Sequence, residues 1–216
     1  MFFLFVKKFF FSHFRLPELP SNWMGQMAAG RVTHTLNNLT TLKFERCLNV
    51  DTEFLRYLRA CPVIKNLSLK GSLLAFVAPH PVVPADPAYP IDIWGQLGSL
   101  DISETGRFPV LIHTRVLNVP GCQVTHLFME KCGLIPSSIH DHMKIEFVSV
   151  AGYRPSVRHR NAFDDIDAWA SISTLKEMNA SGCELTQGQR DELVRRHPNV
   201  LINVNVEFEE SPRIHN

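Results

Sequence analysis

The sequence is short of most features that would mark a chemistry. Its 216 residues include five cysteines, an odd number with no C-x-x-C pair. That is no disulfide framework, and it fits a reducing compartment. An excess of one charge is also missing: 22 Lys and Arg stand against 21 Asp and Glu, for a net charge of +1. This argues against a general nucleic-acid binder, which carries a basic excess. No apolar run approaches the roughly 18–20 residues that a spanning helix needs. The sequence contains no G-x-x-x-x-G-K-S/T, G-x-S-x-G or G-x-G-x-x-G, so the usual phosphate loop, nucleophile elbow and dinucleotide fingerprint are absent. What is present is an ordinary globular composition, 45% hydrophobic and 20% charged. That excludes disorder along the whole chain. At about 100–200 residues per domain, the length predicts one domain, or one with a short extension.

The strongest positive signal is a repeat. Six nine-residue segments carry apolar side chains at positions 1, 4 and 6: LTTLKFERC (39–47), IKNLSLKGS (64–72), LGSLDISET (97–105), VTHLFMEKC (124–132), IEFVSVAGY (145–153) and LKEMNASGC (175–183). Positions 4 and 6 are alternate residues of a short strand, so they point to one face. One such unit cannot bury that face alone, whereas stacked units share a continuous core and a parallel sheet. Position 9, at the turn out of the strand, asks for a small side chain such as Cys or Ser to fill an interior corner. Helical spacing between the segments predicts helices over Asp51–Ala60, over 162–172 with Phe163, Ile166, Trp169 and Ala170 inward, and over 186–196 with Thr186 as cap and Leu193 and Val194 on the apolar side. The fold class expected is α/β: a solenoid with a curved parallel sheet on its concave face and helices and loops on its convex face.

The stretch CLNVDTEFLRYLRACPVIKNLSLKGS resembles the cysteine-containing subtype of leucine-rich repeat. Cys47, Val50, Asp51, Leu55, Leu58, Cys61, Pro62, Ile64, Leu67 and Leu69 occupy its matching positions, and SGCELTQGQRDELVRRHPNVLINV is similar to the same repeat. The subtype is found in F-box and zyg/zer-type ubiquitin-ligase receptors. The resemblance implies a non-enzymatic, protein-binding module that recognises substrates in a cullin-type ubiquitin-ligase pathway, in the cytoplasm and without a cofactor. It also implies a protein substrate as partner, with a ligase adaptor and cullin as further candidates. An F-box is not assigned. Residues 16–20 (LPELP) echo its opening, but its apolar pattern does not follow. A mitochondrial assembly factor or a generic interaction scaffold is the alternative.

The expected organisation is an apolar and basic lead-in over 1–16, a helical cap over 17–38, the repeats over 39–206 and a tail over 207–216. The lead-in, MFFLFVKKFFFSHF, has no acidic residue before Glu18, which motivates the mitochondrial alternative. Its short apolar run precedes the basic pair, the reverse of a signal peptide, so a packed or frayed lead-in is expected. In the cap, Ser21 would begin a helix and Trp23, Met27 and Leu36 would cover the first repeat. Residues 72–94 hold a proline-rich insertion, five prolines between 79 and 90, which cannot be helical. It would be a loop, either a plain insertion or a partner contact anchored by Tyr89 and Trp94. The run 154–160 (RPSVRHR) reads as a solvated basic loop.

The candidate site follows from the strand geometry. Positions 3, 5 and 7 face away from the core, and from them the protein-binding residues expected are Lys43, Glu45, Ser68, Lys70, Asp101, His126, Phe128, Glu130, Phe147 and Asn179. Phe128 and Phe147, in neighbouring repeats, would be the exposed aromatic anchors. Cys122, His126, Cys132, His140 and His142 form the best metal candidate, but their spacing matches no standard zinc frame. Asp164, Asp165 and Asp167 are read as acidic residues that favour the start of a helix. Catalytic, metal and cofactor residues are not expected.

Overall fold

A computed structural model describes residues 8–12, 39–46, 48–50, 63–74, 97–105, 122–135, 143–156, 161–208 and 212. The expected helix over 51–60, the cap over 17–38, Tyr89 and Trp94 of the insertion, and His140 and His142 lie outside the described residues. The architecture is α/β. One eight-stranded parallel sheet is built from β1 (Lys8–Ser12), β2 (Thr41–Glu45), β4 (Asn66–Ser68), β6 (Ser99–Asp101), β7 (His126–Phe128), β8 (Phe147–Ser149), β9 (Glu177–Asn179) and β10 (Leu201–Asn203). Between these, β3 (Leu48–Val50) and β5 (Leu73–Leu74) pair as a separate two-stranded parallel sheet. Among the described residues two helices, α1 (Ala162–Ala170) and α2 (Gln187–Arg196), precede β9 and β10. Among the described residues no helix is long and apolar enough to cross a membrane.

The order of the large sheet is the order of the sequence, so every strand lies beside its predecessor. Pairing is in register with the nine-residue pattern. Position 3 meets position 3 throughout: Thr41 with Asn66, Asn66 with Ser99, Ser99 with His126, His126 with Phe147, and Phe147 with Glu177. The apolar positions produce the core. At position 1, Leu39, Ile64, Leu97, Val124, Ile145 and Leu175 are all buried, as are all twelve residues at positions 4 and 6. A parallel strand has no edge turn to fix its register, so this stripe of shared burial sets it.

The sheet extends beyond the six segments at both ends. Lys8 pairs with Thr41 and Phe11 with Phe44, which makes residues 8–12 of the lead-in the first strand. Leu201 pairs with Glu177 at the other end. The proline-rich insertion is also not a loop from its start: Leu73 and Leu74 are paired with β3 before it begins.

The turn out of each strand has a constant backbone. Position 8 is left-handed in all six units, at φ 55, 67, 60, 52, 65 and 65 for Arg46, Gly71, Glu104, Lys131, Gly152 and Gly182. Its N–H donates to the position-7 carbonyl of the next unit: Arg46 to Lys70, Gly71 to Ser103, Glu104 to Glu130, Lys131 to Ala151 and Gly152 to Ser181, at 2.7–2.8 Å. This ladder continues the sheet's hydrogen bonds past the strand ends, which leaves no buried N–H orphaned there.

The left-handed turn swings position 9 back into the core, where it does more than fill a corner. Ser72 Oγ donates to the Phe44 carbonyl at 2.7 Å, Cys132 Sγ to Ile102 at 3.4 Å and Cys183 Sγ to Val150 at 3.3 Å. Each acceptor is the position-6 carbonyl of the preceding unit. In these three units the corner holds a small side chain that carries a donor, whereas Tyr153 fills the same position with a large buried ring whose hydroxyl donates to Asp165 instead. Burial pushes the Cys132 and Cys183 thiols up to about 12, so both stay protonated and unreactive.

Candidate functional site

The face opposite the core carries the predicted binding residues, and the structure sorts them into two groups. Ser68, Asp101, Glu130 and Asn179 are buried, as is their neighbour Ser149, and Phe128 is only 2% exposed. The expectation of an exposed anchor at Phe128 is therefore corrected. Its ring packs against Phe147 at 5.3 Å between centroids, tilted by 48°. Short side chains one strand spacing, about 4.8 Å, from longer neighbours present little surface to solvent, which accounts for Ser68 and Ser149.

The buried polar residues are tied to one another and to the backbone. Asp101 Oδ1 accepts the Ser103 N–H at 3.0 Å and Asn179 Oδ1 the Ser181 N–H at 3.1 Å. Asn203 Oδ1 accepts the Asn205 N–H in the same way at 3.1 Å. Position 5 thus uses an Asx side chain to fix the backbone two residues on, just before the left-handed turn. Asp101 and Asn179 are largely buried and hold the strand exit. Ser68 Oγ donates to Asp101 Oδ2 at 3.3 Å, and Ser149 Oγ to Glu130 Oε1 at 2.7 Å. These bonds stitch side chains of adjacent strands together.

The partly exposed group runs along the starts and ends of the strands. Lys43, Lys70, His126 and Phe147 are half-buried, and Glu45 is more open. The His126 and Phe147 rings stack at 5.9 Å and 27°. Thr125 Oγ1 lies 2.9 Å from His126 Nδ1. Burial holds the His126 pKa below the ordinary imidazole value, against the opposing pull of Glu146 and Glu177. Neutral imidazole is therefore the form that faces the aromatic ring. Around this pair lie Glu177, exposed, and the Lys176–Glu146 ion pair at 2.8 Å. On the N-terminal side a recess of about 30 Å³, enough for one water, is lined by Lys43, Asn66, Ser68, Asp101 and Phe128. Asn66 Nδ2 donates to Thr41 Oγ1 there at 3.2 Å.

Among the described residues the surface is therefore a polar, hydrogen-bonded sheet with one half-open aromatic pair, His126–Phe147. Sequence reasoning identified both members of that pair but not the Asx role of position 5. The signal was available, since Asp and Asn recur at that position in three strands.

The remaining candidates fall apart spatially. Cys132 points into the core while His126 lies on the opposite face. Among the described residues no three His, Cys, Asp or Glu side chains are placed to hold a metal. Asp164 and Asp165 do stand in the first turn of α1. Asp165 is nevertheless buried, and accepts a 2.6 Å hydrogen bond from Tyr153 Oη, while Asp167 faces α2. Arg154, from the basic run, is exposed and lies 3.7 Å from Glu184. No protein-family model and no curated protein sequence matches this chain.

Proposed function

We propose that the chain is a leucine-rich-repeat solenoid of the cysteine-containing type, and that its concave sheet face binds another protein without chemistry of its own. The observation that carries this reading is the His126–Phe147 pair. A half-open aromatic couple on a hydrogen-bonded sheet loses little entropy on binding, and is ringed by the polar groups that anchor a protein contact. The uniform register and the donor-bearing corner at position 9 support the repeat type. By resemblance to F-box and zyg/zer-type receptors, the bound protein is a substrate in a cullin-type ubiquitin-ligase pathway, met in the cytoplasm. The mitochondrial alternative has removal of the first residues on import as its signature. Such removal would take away β1, which favours the reading in which those residues stay.

The test places a photo-crosslinking phenylalanine analogue at Phe147 of the full chain in its native cells, with the same analogue at exposed Val194 as control. The expected result is a discrete crosslinked protein from position 147, absent from 194, with ligase subunits in the same complex. A crosslinked partner without ligase subunits would keep the binding reading and discard the ligase pathway. No adduct specific to position 147 would overturn both.

A further inference from the structure

The last strand ends the sheet on an open edge. In five consecutive units the position-6 N–H donates to the position-5 carbonyl of the next strand: Leu69 to Asp101, Ile102 to Phe128, Met129 to Ser149, Val150 to Asn179 and Ala180 to Asn203, at 2.7–2.9 Å. The register of β10 with β9 makes Val204 the counterpart of Ala180. By the same geometry the Val204 N–H points to the outer edge, where among the described residues no strand follows.

The core is open there as well. Positions 4 and 6 are buried in all six segments, whereas Ile202 and Val204 at the same positions are only partly buried. Leu201 is 70% and Val206 71% exposed. Residues 200–206, VLINVNV, hold no charge and no proline, the usual guards of a free edge. The chain itself turns back after Val206. A Cβ on Gly182 would stand 3.0 Å from Cα of Phe208, and the Lys131 ammonium lies 4.4 Å from the Phe208 ring centroid. An apolar edge without guards is a template for another strand.

The symmetry of the segment argues for its occupant. Reversed about Asn203, the segment matches itself. Ile202 meets Val204 on the core side, Leu201 meets Asn205 on the concave side, and Asn203 meets Asn203. No charge meets another. The Asn203 carbonyl accepts from Ala180 on the β9 side. Asn203 is therefore a non-hydrogen-bonded position on the outer edge, and Ile202 and Val204 present the donors and acceptors there.

We infer that the outer edge of β10 pairs antiparallel with the same edge of a second copy of the chain, about a two-fold axis at Asn203. The two sheets run on as one, and Ile202 and Val204 of both copies close a shared core. A contact of this self-complementary kind stops at two copies. It lies two strands beyond Phe147 and does not rest on the partner reading.

The test uses the full chain. Sedimentation equilibrium should give twice the mass of one chain. A single-chain mass at every concentration would overturn the dimer, and species that grow beyond two would overturn the two-fold closure. Val204→Pro removes the outward N–H, a change that a free edge tolerates. It should abolish the dimer, and a dimer that persists would overturn the edge contact. Asn203→Cys tests the register, and does so even if the proline variant fails to fold. Opposed Cα atoms of a non-hydrogen-bonded pair lie about 4.5 Å apart, within reach of a disulfide. Oxidation should link two chains through Asn203→Cys but not through Asn205→Cys, whose substituted positions stand about 14 Å apart. Equal linking through both, or through neither, would overturn the pairing.

Discussion

The two helices perform the same task, returning the chain from one strand to the next, but they are held by opposite means. Helix α1 buries Ala162, Phe163, Asp165, Ile166, Trp169 and Ala170, while α2 buries Leu193 alone. The difference follows from position. Strand β9 follows α1 and is itself followed by another unit, so α1 lies inside the stack, beside α2. The unit entered through α2 is the last strand of the sheet. An element at the end of a stack has one flank to pack, and local polar bonds take over. In α2, Gln189 N–H donates to Thr186 Oγ1 at 3.3 Å and Thr186 N–H to Gln189 Oε1 at 2.9 Å, a capping box. Glu192 takes hydrogen bonds from Arg195 at 2.6 and 2.8 Å and from Arg196 at 2.7 Å. The helix docks on α1 through polar contacts: Arg196 and His197 reach the Asp167 carboxylate at 3.1 and 2.9 Å. The end of the stack is held by side-chain polarity where the middle is held by apolar burial.

The sharpest way to break this contrast is Trp169→Ala, which empties the fully buried centre of α1. A loss of about 3–5 kcal/mol is expected from the cavity, read as a lowered urea midpoint. A loss under 1 kcal/mol would mean that α1 is no better packed than α2. Next comes Tyr153→Phe, which removes the 2.6 Å donor to buried Asp165. It should cost about 1–3 kcal/mol in the same titration, and a neutral result would show that this bond adds nothing to apolar packing. On α2, Thr186→Ala should cost about 1 kcal/mol by loss of the cap, with faster hydrogen exchange confined to 187–190. Exchange that quickens equally in α1 would remove the distinction between the helices. Smallest is the effect of acid. Hydrogen bonds from Arg195 and Arg196 hold the Glu192 carboxyl down to about 2, below its usual 4.5. A depressed folded pKa stabilises the helix above the unfolded pKa, and that contribution fades as pH falls from about 4.5 towards 2. Amides of α2 should lose protection in this window before those of α1, and the reverse order would refute the assignment.

Much of this architecture was legible because one physical rule repeats. Apolar positions 1, 4 and 6 must be buried together, and every one of those residues in the six segments is. The helix starting after Thr186 was also readable, from its cap, but its apolar side was not: Leu193 is buried and Val194 is 45% exposed. Periodicity shows which residues could face inward and says nothing of whether a neighbour stands there. The lead-in was expected to be packed or frayed, but its strand was not recognised, for a related reason. Phe9 and Phe11 alternate like the other strands, but Lys7 and Lys8 broke the run and hid the pattern. On the binding face, sequence spacing separated odd from even positions correctly. It could not tell an Asp that holds its own backbone, such as Asp101, from one that waits for a partner, because both are polar residues on the same side of a strand.

The hydrogen-bond ladder at the strand exits has a consequence for how such a chain can change over generations. Ile64 and Leu97 begin units separated by 33 residues, while Val124 and Ile145 are separated by 21. Both pairs nevertheless align position for position in the sheet. Register is decided where strands touch, so the intervening chain is free to lengthen or shorten without disturbing it. Gains and losses of sequence can then remodel the outer contour while the sheet face keeps its order of side chains. A one-residue slip inside a strand has no such freedom, since it would reverse inward and outward for that unit.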